Sequence, residues 1–316
     1  MRYPDLLVTD EARRQHEALL GERADLVRDS VDFLIDAWQV LESKLAQIES
    51  PSHKTILMLC RSEIELLDGV ELLVRGGSAA NCFHLLRSAM EAYWGILWIL
   101  REDSERRGLA YQVGHAHRAI RYAERLDPQT SINGELRESL EGQQHVQILD
   151  GGDADATAVA EGMAPVLTHP ECIEVERAWQ AAVAERRRKN RLGPPPWYSL
   201  FGGPASIRGL AYAVEQGTAY ETIYALHSDS VHAGNAFDHL ASPTDGGDKA
   251  VRPIRQPEWL ARVALESVLA ATKIVQPILL QYAPELGMPF FERYERTLRP
   301  RVLALLKQLE SDPLRP

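Results

Sequence analysis

The segment NCFHLLRSAMEAYWGILWIL, residues 81–100, constrains the fold more than any other part of the chain. Phe83, Leu86, Tyr93, Trp94, Leu97 and Trp98 leave it apolar on nearly every face, so a helix formed here belongs at the centre of a bundle. It nevertheless carries His84, Arg87 and Glu91 at i, i+3 and i+7. A guanidinium cannot enter a core alone, because its desolvation must be offset by partners. Another segment has to bring them, and the candidate is YETIYALHSDSVHAG, residues 220–234. As a helix it stacks Tyr220, Tyr224, Ser228 and His232 in one polar stripe. Ile223, Leu226 and Val231 flank that stripe, which points it at a semi-buried pocket.

Helical patterning runs through the rest. Val27, Val31, Leu34, Trp38, Leu41, Leu45 and Ile48 alternate spacings of four and three, predicting a long bundle helix over residues 10–50. Ser50-Pro51-Ser52 breaks it. Residues 52–101 then read as an antiparallel helical hairpin turned at Gly76-Gly77. A polar helix is predicted over 103–126, ended by Asp127-Pro128, and a short one from about Ile132 to Gln144. GGDADATAVAEG is small and acidic, and reads as a mobile loop. Glu171 to Arg191 reads as a helix ending in RRRKNR, whose basic residues suit a solvated helix C-terminus. GPPPW forces an extended crossing. Ser206 to Gln216 is short and helical, residues 235–256 form a loop that could lie over the site as a lid, and Glu258 to Gln281 and Phe290 to Leu309 are two amphipathic helices. No strand alternation or repeat is present. The fold class is therefore all-α: a multi-helix bundle of mostly antiparallel helices without significant sheet, a single domain over 1–316 with a C-terminal helical pair at 257–311.

Charge and cysteine usage narrow the partners. With 45 acidic against 35 basic residues the net charge is −10, which opposes non-specific attraction to nucleic acid or an anionic membrane. Cys60, Cys82 and Cys172 are odd in number and lack metal spacing, so they read as buried free thiols of a reducing compartment. Residues 1–20 lack a continuous apolar stretch, and the longest apolar runs are short or interrupted by Glu91, Glu266 and Lys273. A cytoplasmic protein with no membrane partner is expected.

LLRSAMEAYWGILWIL, WYSLFGGPASIRGLA and YETIYALHSDSVHAG, in that order, resemble the all-helical bacterial proteins grouped as domain of unknown function family 5677. The family pairs an R-x-x-x-E helix with a later Y-x-x-x-S-x-x-x-H-small helix, and the likeness covers roughly residues 55–240. It implies fold and site geometry without an activity. A looser resemblance is to HEPN helical bundles, many of them metal-independent ribonucleases of toxin and antiphage systems. Their hallmark is an Arg four to six residues before a His on one helix. Here Ser228, Asp229 and Ser230 precede His232, and Arg87 from the other helix would have to take that place.

Arg87, Glu91, Ser228 and His232 thus form the expected catalytic set. His232 would act as general acid or base, Arg87 would bind an anionic group, and Glu91 would orient one of them. Tyr220, Tyr224, His84, Trp197 and Arg118 are the expected substrate-binding residues, Trp197 by walling the pocket or stacking a base. The HEPN likeness implies RNA or nucleotide as partner, a basic surface from Arg118, Arg121 and Arg186 to Arg191, and a homodimer with the site at its interface. A second reading is a small-molecule or metabolic protein with an enclosed polar pocket. A third is a scaffold in which an Arg87–Glu91 pair capped by Ser228 and His232 fastens two helices. Ser228 as a nucleophile lacks the strand-elbow-helix context. His84, Glu91, His227 and His232 contain no Glu-x-x-His pair, so no metal and no cofactor are expected.

Overall fold

The computed structural model describes residues 10–45, 50–143, 146–150, 154–231, 240–241, 250–251 and 259–311. Its helices are α1 (Asp10–Leu45), α2 (Pro51–Arg75), α3 (Ala79–Arg101), α4 (Ser104–Leu126), α5 (Ser131–Ser139), α6 (Ala154–Thr168), α7 (Ile173–Arg188), α8 (Ile207–Ala213), α9 (Gly217–Ala219), α10 (Ala225–Val231), α11 (Leu260–Tyr282), α12 (Gly287–Thr297) and α13 (Arg299–Ser311). A π turn, Tyr220–Tyr224, joins α9 to α10. The all-α class is what the structure has; two-residue strands Leu240–Ala241 and Ala250–Val251 pair antiparallel. Two compact units emerge: residues 1–49, 56–101 and 211–316, and residues 50–55 and 102–210.

In the first unit the seam of α1 is core. Val27, Val31, Leu34, Leu41 and Leu45 are buried, while the Trp38 indole donates to the Leu57 carbonyl at 3.1 Å. The α2–α3 hairpin turns where the sequence places it. Ser78 N–H bonds the Leu73 carbonyl at 2.8 Å, Gly77 N–H bonds Val74 at 2.9 Å, and Gly77 takes φ 75. This pairing is the Schellman motif, whose left-handed residue carries no steric cost in glycine. Along α3, Phe83, Leu86, Trp94, Ile96 and Ile99 are buried, as its composition requires. Among the described residues one helix, α11, is long and apolar enough to cross a membrane by length and composition. Its face from Leu260 to Leu279 is buried within the fold.

The second unit is built on α4. Gly108 lets the start of α2 approach so closely that a Cβ there would lie 2.6 Å from the Ser52 Cα. The Glu105 carboxylate accepts from Ser50 Oγ at 2.6 Å, Ser52 Oγ at 2.7 Å and Ser52 N at 3.2 Å. Burial alone would raise the pKa of Glu105, but these donors outweigh it and hold the group below its ordinary value. Gly114 sits against Trp197 and Trp179, both buried.

Two sequence expectations fail here. The segment expected as a mobile loop is helical from Ala154, because Ala154, Ala156, Ala158 and Ala160 are strong helix formers and α6 packs on α4 with Ala156 buried. Alanine-rich helices bury little and show no apolar stripe, which hid this one. The helix expected from Phe290 to Leu309 is two, broken at Leu298, since Pro300 has no N–H to donate backwards and fits only the first turn of a new helix. The three cysteines are buried free thiols, as expected.

Glu63 on α2 is wholly buried and neither carboxyl oxygen has a hydrogen-bond partner among the described residues. Burial pushes its pKa from 4.5 up to about 8, so folding favours the protonated acid. The cost of burying Glu63 is absent below the unfolded pKa, grows as pH rises, and is complete above the folded one. Urea unfolding of the wild type at about pH 5 and about pH 9 is expected to lose on the order of several kcal/mol more than Glu63→Gln loses over the same interval. Equal losses in the two proteins would refute it.

Candidate functional site

Helix α3 and the 217–231 stretch run antiparallel within the first unit. Trp94 meets Tyr220 at 6.1 Å and Tyr224 at 5.2 Å between ring centroids, Arg87 and Glu91 meet Tyr224, and Phe83 meets His227. The two segments singled out in the sequence are therefore in contact.

At the centre, the Tyr224 hydroxyl donates to Glu91 Oε1 at 2.5 Å. Arg87 Nε lies 3.4 Å from the same oxygen, and its guanidinium carbon stands 4.8 Å from the centre of the Tyr224 ring. Burial first, and then the Glu91 carboxylate, push the Tyr224 phenol well above the ordinary tyrosine range. For Arg87, burial opposes the charge, but Tyr224 and Glu91 outweigh it and keep the guanidinium firmly protonated. The side chains remain reachable, at 21% exposure for Arg87 and 43% for Glu91. The ion pair engages Nε of a group that has five N–H donors.

Tyr220 stacks on Tyr224 at 5.0 Å and 22°, which keeps the first half of the expected stripe. His227 turns toward α3 and is fully buried, its ring stacked on Phe83 at 4.7 Å and 21°. Ser228 is half-buried. His84 is half-buried on α3 beside Phe83. His232, the expected general base, lies outside the described residues, as does most of the expected lid, 235–256.

Two of the expected binding residues belong to the second unit. Trp197 is buried and meets Tyr111 edge-on at 5.2 Å, and Arg118 is exposed on α4. Of the basic run, Arg186 bonds the carbonyls of Gly193 at 3.0 Å and Leu192 at 2.8 Å, closing its own loop, and Lys189 pairs with Glu185 at 2.9 Å.

Two imidazole–carboxylate pairs lie outside the expected site residues. In the first unit His227 Nε2 lies 3.1 Å from Glu266 Oε2, off the line of a hydrogen bond, and Arg262 Nε holds the other Glu266 oxygen at 2.7 Å. Burial would raise Glu266, but His227 and then Arg262 reverse this and keep it below its ordinary value. The spacing of Tyr220, Tyr224 and His227, four and then three, is the signal that a buried seam runs through the histidine. In the second unit His117 Nε2 and Glu176 Oε2 are 2.7 Å apart, with the imidazole stacked on Trp179 at 5.0 Å and 3°. Among the described residues no group of three or more His, Cys, Asp or Glu side chains is placed to hold a metal ion.

The model of one family, described as Family of unknown function (DUF5677), matches residues 53–249. No curated protein and no solved structure matches the chain.

The Tyr224 to Glu91 bond joins a neutral donor to a charged acceptor, which is worth roughly 1.5–3 kcal/mol. In a double-mutant cycle with Tyr224→Phe and Glu91→Ala, measured by urea unfolding, a coupling of about 1–3 kcal/mol is expected. Additive losses would mean that the bond does not form in solution.

Proposed function

The chain belongs to the DUF5677 family, and from that premise we propose that it is an RNA-cleaving or nucleotide-processing effector of the HEPN-like kind, serving bacterial toxin or antiphage functions. One observation carries the reading. Arg87 is a partly exposed guanidinium held in place from within, by Glu91 along its helix and by the Tyr224 ring beneath it, with only Nε in the ion pair. Such a group is poised for a phosphate, whose oxygens match the guanidinium fork. In RNA cleavage a base removes the proton of the ribose 2′-hydroxyl and the oxygen attacks the adjacent phosphorus. The bond to the 5′-oxygen then breaks, and that oxygen leaves with a proton. Arg87 would stabilise the charge on the phosphoryl oxygens. The sequence assigns the base to His232, with Ser228 one helical turn before it, and no step needs a metal. Three buried free thiols support a reducing, cytoplasmic setting, and a homodimer remains part of this proposal.

A second reading, a small-molecule or metabolic enzyme, is favoured by the net charge of −10 and by the aromatic wall of Trp94, Tyr220 and Tyr224. Its ligand would be a small phosphorylated or carboxylated molecule held by the same Arg87.

Incubation of single-stranded RNA with the protein, with and without EDTA, tests the first reading. Cleavage indifferent to chelator and lowered on the order of 100-fold or more in Arg87→Ala is expected. Intact RNA would overturn it. A melting temperature raised by nucleoside monophosphate in the wild type and unmoved in Arg87→Ala would then select the second reading.

A further inference from the structure

His227 is an unusual residue to find at zero exposure. Its Nδ1 has no hydrogen-bond partner among the described residues, and its Nε2 faces Glu266 at 3.1 Å without hydrogen-bond alignment. Buried polar atoms left in this state cost stability, so a fold that retains them has another use for the side chain.

The surroundings show what that use is. Phe83 on α3 stacks on the imidazole, and Glu266 on α11 faces its edge. Arg262, one turn before Glu266, holds the second carboxylate oxygen and lies 5.9 Å over the Trp259 ring. Trp259 returns to Phe83 edge-on at 6.1 Å. Five side chains from α3, α10 and α11 with its preceding residue thus close a circuit that runs through His227. The circuit grips the helix at one point and in one rotation.

That rotation matters because of what comes just before it. Tyr220–Tyr224 is a π turn, a wider coil than the α-helix on either side. Relaxation of such a turn to α geometry shifts the helix register by one residue, a rotation of about 100°. Tyr224 is the last residue of the π turn and His227 lies in the first turn of α10, so a hold on His227 is a hold on Tyr224. We infer that His227 and Glu266 are a positioning pair, which sets the rotation of α10 and thereby delivers the Tyr224 hydroxyl to Glu91. The inference rests on the reading of Arg87, Glu91 and Tyr224 as the site. In it His227 touches no substrate and acts through Tyr224 alone.

The test reads Tyr224 directly and needs no activity. Tyrosine labelled with 13C at the ring carbon bearing the hydroxyl gives one NMR signal for each of the ten tyrosines, and Tyr224→Phe identifies the signal to follow. A phenol bonded to a carboxylate resonates toward the phenolate position, so at neutral pH the wild-type Tyr224 signal is expected downfield of the solvated tyrosines. In His227→Ala it is expected to move back among them, and His227→Gln, which can still reach Glu266, is expected to restore it. Glu266→Gln keeps the shape of the side chain and carries the same test if His227→Ala does not fold. A Tyr224 signal unmoved in folded His227→Ala or Glu266→Gln overturns the inference, even where melting falls, because that is the behaviour of a purely structural core residue. Intact RNA in the cleavage assay would overturn the functional reading and leave this measurement as it stands.

Discussion

An arginine on a helix that has almost no polar face is the constraint from which the first unit follows. α3 meets solvent at Arg87 and Glu91, which are 21% and 43% exposed, and the pair alone leaves Glu91 with acceptor sites open to Tyr224 or water. Tyr224 supplies a donor for the carboxylate and an aromatic face for the guanidinium with one side chain. A partly exposed ion pair such as Arg87–Glu91 contributes about 0–1 kcal/mol by itself. The phenol bond to a charged acceptor is the stronger contact, and it is directional, so it specifies how α10 lies on α3 where apolar packing would tolerate several rotations.

The same pairing shows what a sequence can and cannot disclose. Arg87, Glu91, Tyr220 and Tyr224 were legible because each conflicts with its apolar surroundings, and such conflicts can be resolved only by contact. The Gly76-Gly77 turn and the break at Pro51 were legible because backbone geometry there admits few residues. The sequence pattern assumed one uniform helix over 220–234, whereas the structure has a π turn at Tyr220–Tyr224 before α10. A π turn needs no signature residue; it arises when tertiary contacts on both sides prefer a register that the α-helix does not offer. Glu266 was invisible as a site residue for a related reason. On α11 it reads as a charge interrupting an apolar run, and only folding shows that His227 lies opposite. The helix α6 was missed in the opposite way: its alanines conflict with nothing, so nothing in the pattern demanded an explanation.

Glu63 and Glu266, in one unit, meet desolvation by different routes. Glu63 has no hydrogen-bond partner among the described residues, and burial raises its pKa so that the neutral acid is favoured. Glu266, nearly as enclosed, stays ionised because Arg262 and His227 stand next to it. The difference bears on purpose. A neutral buried acid is compatible with any helix packing that encloses it, and so carries little information about geometry. Glu266 keeps its charge through Arg262 on its own helix and faces His227 of α10 at 3.1 Å, so the geometry around it ties α10 to α11. Its neighbour His227 has a ring nitrogen without a hydrogen-bond partner among the described residues, which a smaller apolar residue would not leave behind. A core optimised for stability alone would favour that replacement. Retention of the imidazole is therefore an argument for specificity, with α10 held in the one rotation that keeps Tyr224 against Glu91, and with Arg87 presented at a depth a ligand can reach.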